Sequence, residues 1–148
     1  MTLTVVLEPA QPADHGAVVA LLHLAGLPWS DLTSASMHDF VLARDGDQVV
    51  GSVAVERCST SGLLRSLAVD SAWRRLGIGK ALLLAVEDIA SRKGIQDLWL
   101  LTTGASDYFE HHGYRLAERK SAPATVQIST QFQSICPASA ACLRKPLS

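Results

Sequence analysis

The chain has 148 residues, 48% of them hydrophobic and 18% charged, with a net charge of −1. This is globular composition with enough length to bury a core, so one domain over residues 1–148 is expected. The balanced charge predicts no nucleic-acid or membrane partner, and no apolar run reaches membrane-spanning length.

In chain order, Thr4–Glu8 predicts a first strand. Pro9 and Pro12 end it and start a helix with Val18, Val19, Leu21, Leu22 and Ala25 on one face, closed by Gly26 and Pro28. Residues 27–38 read as irregular with room for a short helix, and Trp29 there reads as a loop anchor or a lid. Phe40–Arg44 and Gln48–Arg57 predict two strands around the turn signal Asp45-Gly46-Asp47. Ser59–Gly62 predicts a second turn, and Leu63–Val69 a strand buried on both faces. Ile78, Leu82, Ala85, Val86 and Ile89 recur at helical spacing over residues 78–93, and Gly94 stops that helix. Leu98–Thr102 is the next buried strand, and the helical crossover makes it parallel to Leu63–Val69. Ala105–His112 predicts a short helix and Tyr114–Glu118 a strand. A helix from Pro123 to about Gln133 and a last strand over Ala140–Lys145 complete the chain. The expected fold is a mixed α/β sheet, antiparallel in its N-terminal half, with one central parallel crossover.

The strand at Leu63–Val69 runs through Arg74-Arg75-Leu76-Gly77-Ile78-Gly79-Lys80 into the helix. A strand, a glycine turn and a helix start offer backbone N–H groups to a phosphate. The dinucleotide fingerprint fails because Leu82 stands where a third small residue is needed. The P-loop fails because Arg74 and Ala81 stand at its glycine and hydroxyl positions. What remains is a turn in which Gly77 and Gly79 can take positive φ and admit phosphate oxygens. Arg74, Arg75 and Lys80 add charge-assisted bonds. An ordinary strand-to-helix turn is the alternative for the bare string.

Asp70-Ser71-Ala72-Trp73, the glycine turn, the helix and strand after it, and Ala105-Ser106-Asp107-Tyr108-Phe109-Glu110-His111-His112-Gly113-Tyr114 together resemble the GNAT-type N-acetyltransferases. The resemblance implies the GNAT fold with splayed central strands and binding of acetyl-CoA. It implies that Leu67, Ala68 and Val69 meet the pantetheine arm, and that Arg74, Arg75, Leu76, Gly77, Ile78, Gly79 and Lys80 wrap the diphosphate. Gly62–Val69, Leu100–Thr103 and Ile135–Cys142 further resemble a GNAT branch of arsenic-resistance N-acetyltransferases. That branch implies a glutamate-like acceptor, including an arsenic- or phosphorus-containing analogue.

For acetyl transfer, the Val69 N–H is the expected oxyanion donor. Glu56 is the candidate base, with a solvated strand end as the alternative. Phe109 stands where GNAT enzymes often carry a tyrosine, which leaves Tyr108, or Tyr114 beyond it, to give the proton, or the thiolate to leave without a dedicated acid. Arg65, alone in an apolar strand, is expected to clamp a substrate carboxylate, or else to pair with Glu56 or another acid. Arg57, Arg115 and Arg119 read as surface charge, His111 and His112 as a helix terminus, and Trp99 as core. Cys58, Cys136 and Cys142 are sparse and lack zinc spacing. With no basic-then-apolar leader pattern, they predict a reducing, cytoplasmic setting. The expected partner is a small amine, and a homodimer is left open. A protein N-terminus or polyamine as acceptor, and a non-catalytic acyl-CoA binder, remain as alternatives.

Overall fold

The computed structural model describes residues 5–135 and 137–147. Strand β1 (Val5–Pro9) pairs antiparallel with β2 (Phe40–Asp45), which pairs antiparallel with β3 (Gln48–Cys58). Pro9 is tolerated in β1 because that strand lies at the sheet edge. Pro12 opens a 3-10 turn over Pro12–Asp14 that leads into α1 (His15–Leu24). The irregular stretch contains one 3-10 helix, Ser34–Asp39. Arg44 binds both Glu8 and Asp14, tying β2 to β1 and to the start of α1.

The second turn is tighter than its sequence suggests. It comprises Ser59 and Thr60, with Ser59 in left-handed backbone (φ 61), so Ser61 and Gly62 already belong to β4 (Ser61–Val69). Helix α2 (Ile78–Arg92) then returns the chain to β5 (Asp97–Thr102), which pairs parallel with β4. That pairing joins Ser61–Leu63 to Asp97–Trp99. After α3 (Ser106–His111) and β6 (Arg115–Ala117), the strand β7 (Ala141–Pro146) inserts between β5 and β6, antiparallel to both. The seven strands run in the order β1-β2-β3-β4-β5-β7-β6.

The expected helix from Pro123 to about Gln133 is broken. Helix α4 covers only Ala124–Gln127, and a separate wide turn follows at Gln131–Ile135. The β-branched run Thr125, Val126, Ile128 and Thr130 weakens helix formation there. Ser129 Oγ also accepts from the Phe132 N–H at 3.4 Å, a local bond that competes with the helical ladder. Thr4 and Cys136, each part of a predicted feature, lie outside the described residues.

Two compact units divide the chain. The first holds the described residues of Met1–Val55 together with Ser66–Asp88. Its core packs Val18 and Leu22 of α1, Met37, Phe40, Leu42 and Ala68. The second holds Glu56–Arg65 and the described residues of Ile89–Ser148. Its core gathers Cys58, Leu63, Trp99, Val126, Phe132 and Cys142. Each fully buried large apolar side chain contributes about 1.5–3 kcal/mol, so both units have a substantial apolar core. No helix among the described residues is long and apolar enough to cross a membrane.

Candidate functional site

In the first unit, a glycine inside a strand sets the position of α2. A Cβ on Gly51 of β3 would lie 2.9 Å from Leu82 Cδ1 and 3.3 Å from both the Ala68 carbonyl oxygen and Ile78 Cγ2. Hydrogen at this position therefore lets α2 and the end of β4 approach β3 closely. Sequence reading missed Gly51, although a lone glycine in a strand pattern is the signal for such an approach.

Two left-handed residues that are not glycine shape the route from β4 into the turn. Ser66 sits inside β4 with φ 62, and Arg75 has φ 66. Such backbone costs an L-residue about 1–2 kcal/mol and persists where the surroundings fix it. Ser52, fully buried, donates its hydroxyl to the Ser66 carbonyl at 2.8 Å. The Asp70 N–H donates to the Val50 carbonyl at 2.8 Å, and Asp70 Oδ1 accepts from the Ala72 N–H at 2.9 Å, capping the short turn Ser71–Trp73. Arg74 folds back, its Nε donating to the Val69 carbonyl at 3.3 Å.

Gly77 takes positive φ (81), and a Cβ there would meet nothing within 4 Å. Its requirement is conformational, not steric. Gly79 differs from expectation: it lies in the first turn of α2, so it needs no left-handed backbone. Arg75 takes the second left-handed position instead. Arg74, Arg75, Leu76 and Lys80 are exposed, Ile78 is buried, and the Ala81 N–H donates to the Gly77 carbonyl at 3.0 Å. Leu67, Ala68 and Val69 are the last residues of β4, so every residue expected to meet the cofactor falls in the first unit.

In the second unit, the Arg65 Nη1 donates to Glu56 Oε1 at 2.8 Å. The Arg65 side chain is 1% exposed and that of Glu56 34%. This is the pairing that the sequence left open beside the carboxylate clamp. Tyr108 is 38% exposed and packs against Phe109 and His112, with ring centroids 5.4 and 4.7 Å away. Burial pushes the Tyr108 phenol above its ordinary pKa. Phe109 is buried edge-to-face against Tyr114, itself 1% exposed, so the position without a hydroxyl is a core position here.

Arg115 is exposed on β6, and the other remaining candidates make structural contacts. Arg57 donates to the carbonyls of Ser59 and Lys93, and Arg119 to that of Ala140 at 3.4 Å. His111 Nδ1 bonds the Asp107 carbonyl oxygen at 3.1 Å on α3, and Lys145 Nζ donates to the His112 carbonyl at 2.9 Å. Trp99 is core, with the Arg144 guanidinium 5.6 Å from its ring centroid. Cys58 and Cys142 are buried, and burial pushes the Cys142 thiol up against the opposing pull of Arg119. Trp29 packs its ring edge-on to His23 at 6.0 Å, an anchored loop residue. Among the described residues, no three His, Cys, Asp or Glu side chains group to hold a metal ion.

A family model described as "Acetyltransferase (GNAT) domain" matches residues 36–116. An uncharacterized N-acetyltransferase, CT2212 of Chlorobaculum tepidum, is 32% identical over 88 residues, which make up 59% of this chain and 56% of that protein. The chain thus spans little more than half the length of this curated relative. N-acetylglutamate synthase from Neisseria gonorrhoeae, solved with coenzyme A and N-acetyl-glutamate, superposes with a TM-score of 0.85 at 20% identity, over 100% of this chain and 36% of that one. Rv2747 from Mycobacterium tuberculosis, solved with CoA and NLQ, gives 0.80 at 20% identity over 97% and 99%. The PaiA N-acetyltransferase of Thermoplasma acidophilum, solved with coenzyme A, gives 0.69 at 14% identity over 97% and 99%. At these identities the structural likeness is one of fold.

Proposed function

The chain belongs to the GNAT acetyltransferase family, and we propose that it moves the acetyl group of acetyl-CoA onto the amine of a small, glutamate-like amino acid. One observation carries the cofactor half of this reading. The left-handed residues Arg75 and Gly77 shape an exposed turn between β4 and a 15-residue helix, with Arg74, Arg75 and Lys80 around it. That donor set suits a diphosphate: backbone N–H groups at a helix start plus exposed cations.

Acetyl-CoA, when bound, supplies the activated acyl carbon. Leu67, Ala68 and Val69 would hold its pantetheine arm, and the Val69 N–H would serve as the donor for the oxyanion. Glu56 takes a proton from the substrate ammonium, directly or through water. The amine nitrogen then bonds to the acyl carbon as the carbon–sulfur bond breaks. Tyr108, a phenol that carries its proton at neutral pH, gives the leaving sulfur that proton.

The glutamate-like acceptor is supported by the fold shared with N-acetylglutamate synthase. The test is release of free coenzyme A, with acetyl-CoA and a panel of amines. The panel holds L-glutamate, a glutamate analogue carrying phosphorus or arsenic in place of its side-chain carboxyl, L-glutamine, spermidine and a peptide with a free N-terminus. The expected result is fastest release with the acidic amino acids. Faster release with spermidine or the peptide would move the chain to another acceptor class. Tight acetyl-CoA binding without release for any amine would leave a non-catalytic acyl-CoA binder.

A further inference from the structure

Arg65 and Glu56 are unequal partners. The guanidinium side chain is sealed at 1% exposure, whereas a third of the carboxylate side chain faces solvent, the two being joined at 2.8 Å. A buried arginine is costly without a partner, so Glu56 neutralises it. In return, the buried donor holds one carboxylate oxygen, Oε1, while about a third of the Glu56 side chain stays open to solvent. The following residue, Ser66, has left-handed backbone (φ 62), and its carbonyl accepts from the buried hydroxyl of Ser52 at 2.8 Å. Neutralising Arg65 does not require an open carboxylate side chain, yet about a third of that of Glu56 is left exposed. A guanidinium this covered is poorly placed to receive a substrate carboxylate.

We infer that Arg65 is a positioning residue that holds Glu56 in place as the base for acetyl transfer. The inference rests on the role proposed for Glu56. Arg65 moves no proton itself; it fixes the direction of the carboxylate that takes one from the ammonium.

The experiment compares Arg65→Met, Arg65→Lys, Glu56→Gln and the double variant Arg65→Met/Glu56→Gln. Each is assayed with acetyl-CoA and the amine that the wild-type protein turns over fastest, and each is titrated with acetyl-CoA by calorimetry. Positioning predicts that Arg65→Met lowers kcat at least tenfold, with KM for the amine and Kd for acetyl-CoA within about twofold of wild type. Arg65→Lys keeps the charge and recovers part of the rate. The double variant is no slower than Glu56→Gln alone, because both changes remove one function. If Arg65→Met fails to bind acetyl-CoA, Arg65→Lys decides: a threefold or greater loss of kcat at wild-type Kd supports positioning, and an unchanged kcat overturns it. A tenfold rise in KM with kcat intact would make Arg65 a substrate clamp instead. Multiplying losses in the double variant, or a lowered Tm with normal kcat, would make the pair structural. A wild type that releases no coenzyme A with any amine overturns the acetyl-transfer reading and this inference together, whereas the other negative outcomes overturn positioning alone.

Discussion

Arg74 and Arg75 rise from an exposed turn in the first unit and Lys80 from the first turn of α2 beside it, whereas Arg65 is sealed inside a strand of the second. The two regions put cations to different use. A diphosphate arrives with several charged oxygens and accepts donors from many directions, so exposed side chains suffice and the backbone does the shaping. In that proposed role, the conformational demand falls on φ at Arg75 and Gly77. A general base must present one oxygen in one direction, so a single side chain needs a fixed partner, as Glu56 has in Arg65. The contrast predicts that changes in the first region act on cofactor affinity and changes in the second on turnover.

The largest effect is expected at Glu56. Glu56→Gln keeps the size of the side chain but not its proton affinity, and kcat should fall about 100-fold with little change in acetyl-CoA affinity. The deficit should shrink as pH rises and free amine becomes abundant. A pH–rate profile for both proteins checks this, and an equal rate at all pH values would return Glu56 to a solvated strand end.

Next comes Gly77→Val. With open space around the position, its whole cost is the left-handed backbone, which a β-branched residue resists. Acetyl-CoA affinity should fall about tenfold, equivalent to roughly one charge-assisted bond. Calorimetry on the folded variant measures it. Gly79→Ala, inside the helix, should change affinity far less.

Tyr108→Phe should lower kcat about fivefold, modestly because coenzyme A thiolate is a fair leaving group. A phenol keeps its proton through neutral pH, and burial moves its loss further into alkaline solution. The difference from wild type should therefore vanish only in alkaline solution, above the ordinary phenol value. An identical rate at neutral pH would remove Tyr108 from the mechanism.

The smallest effect is Gly51→Ala, which crowds Leu82 Cδ1, a movable methyl, and the less movable Ala68 carbonyl oxygen. A loss of about 1–2 kcal/mol in stability is expected, with a mild loss of acetyl-CoA affinity as α2 shifts. Thermal melts with and without acetyl-CoA separate the two.

Much of the first region is legible in the sequence. The apolar run before Asp70, the glycine at position 77 and the helical spacing from Ile78 each carry a local signal that tertiary packing only reinforces. The left-handed backbone at Ser66 and Arg75 is not legible, since neither residue type favours it; burial of Ser52 and the demands of the turn impose it. In the second region the identity of Arg65's partner depends on how β3 and β4 align. Turn length sets that alignment, and the turn comprises Ser59 and Thr60, two residues shorter than the pattern Ser59–Gly62 suggests. Insertion of β7 between β5 and β6 is likewise a property of long-range pairing, with no mark in the local pattern.

The division of labour is tested most directly by measuring acetyl-CoA Kd and kcat at saturating acetyl-CoA on Gly77→Val and Glu56→Gln side by side. The expected result is a crossover: Gly77→Val raises Kd about tenfold while kcat stays near wild type, and Glu56→Gln lowers kcat about 100-fold while Kd stays near wild type. Two variants that move the same parameter, or a Gly77→Val protein with wild-type Kd, would contradict the account.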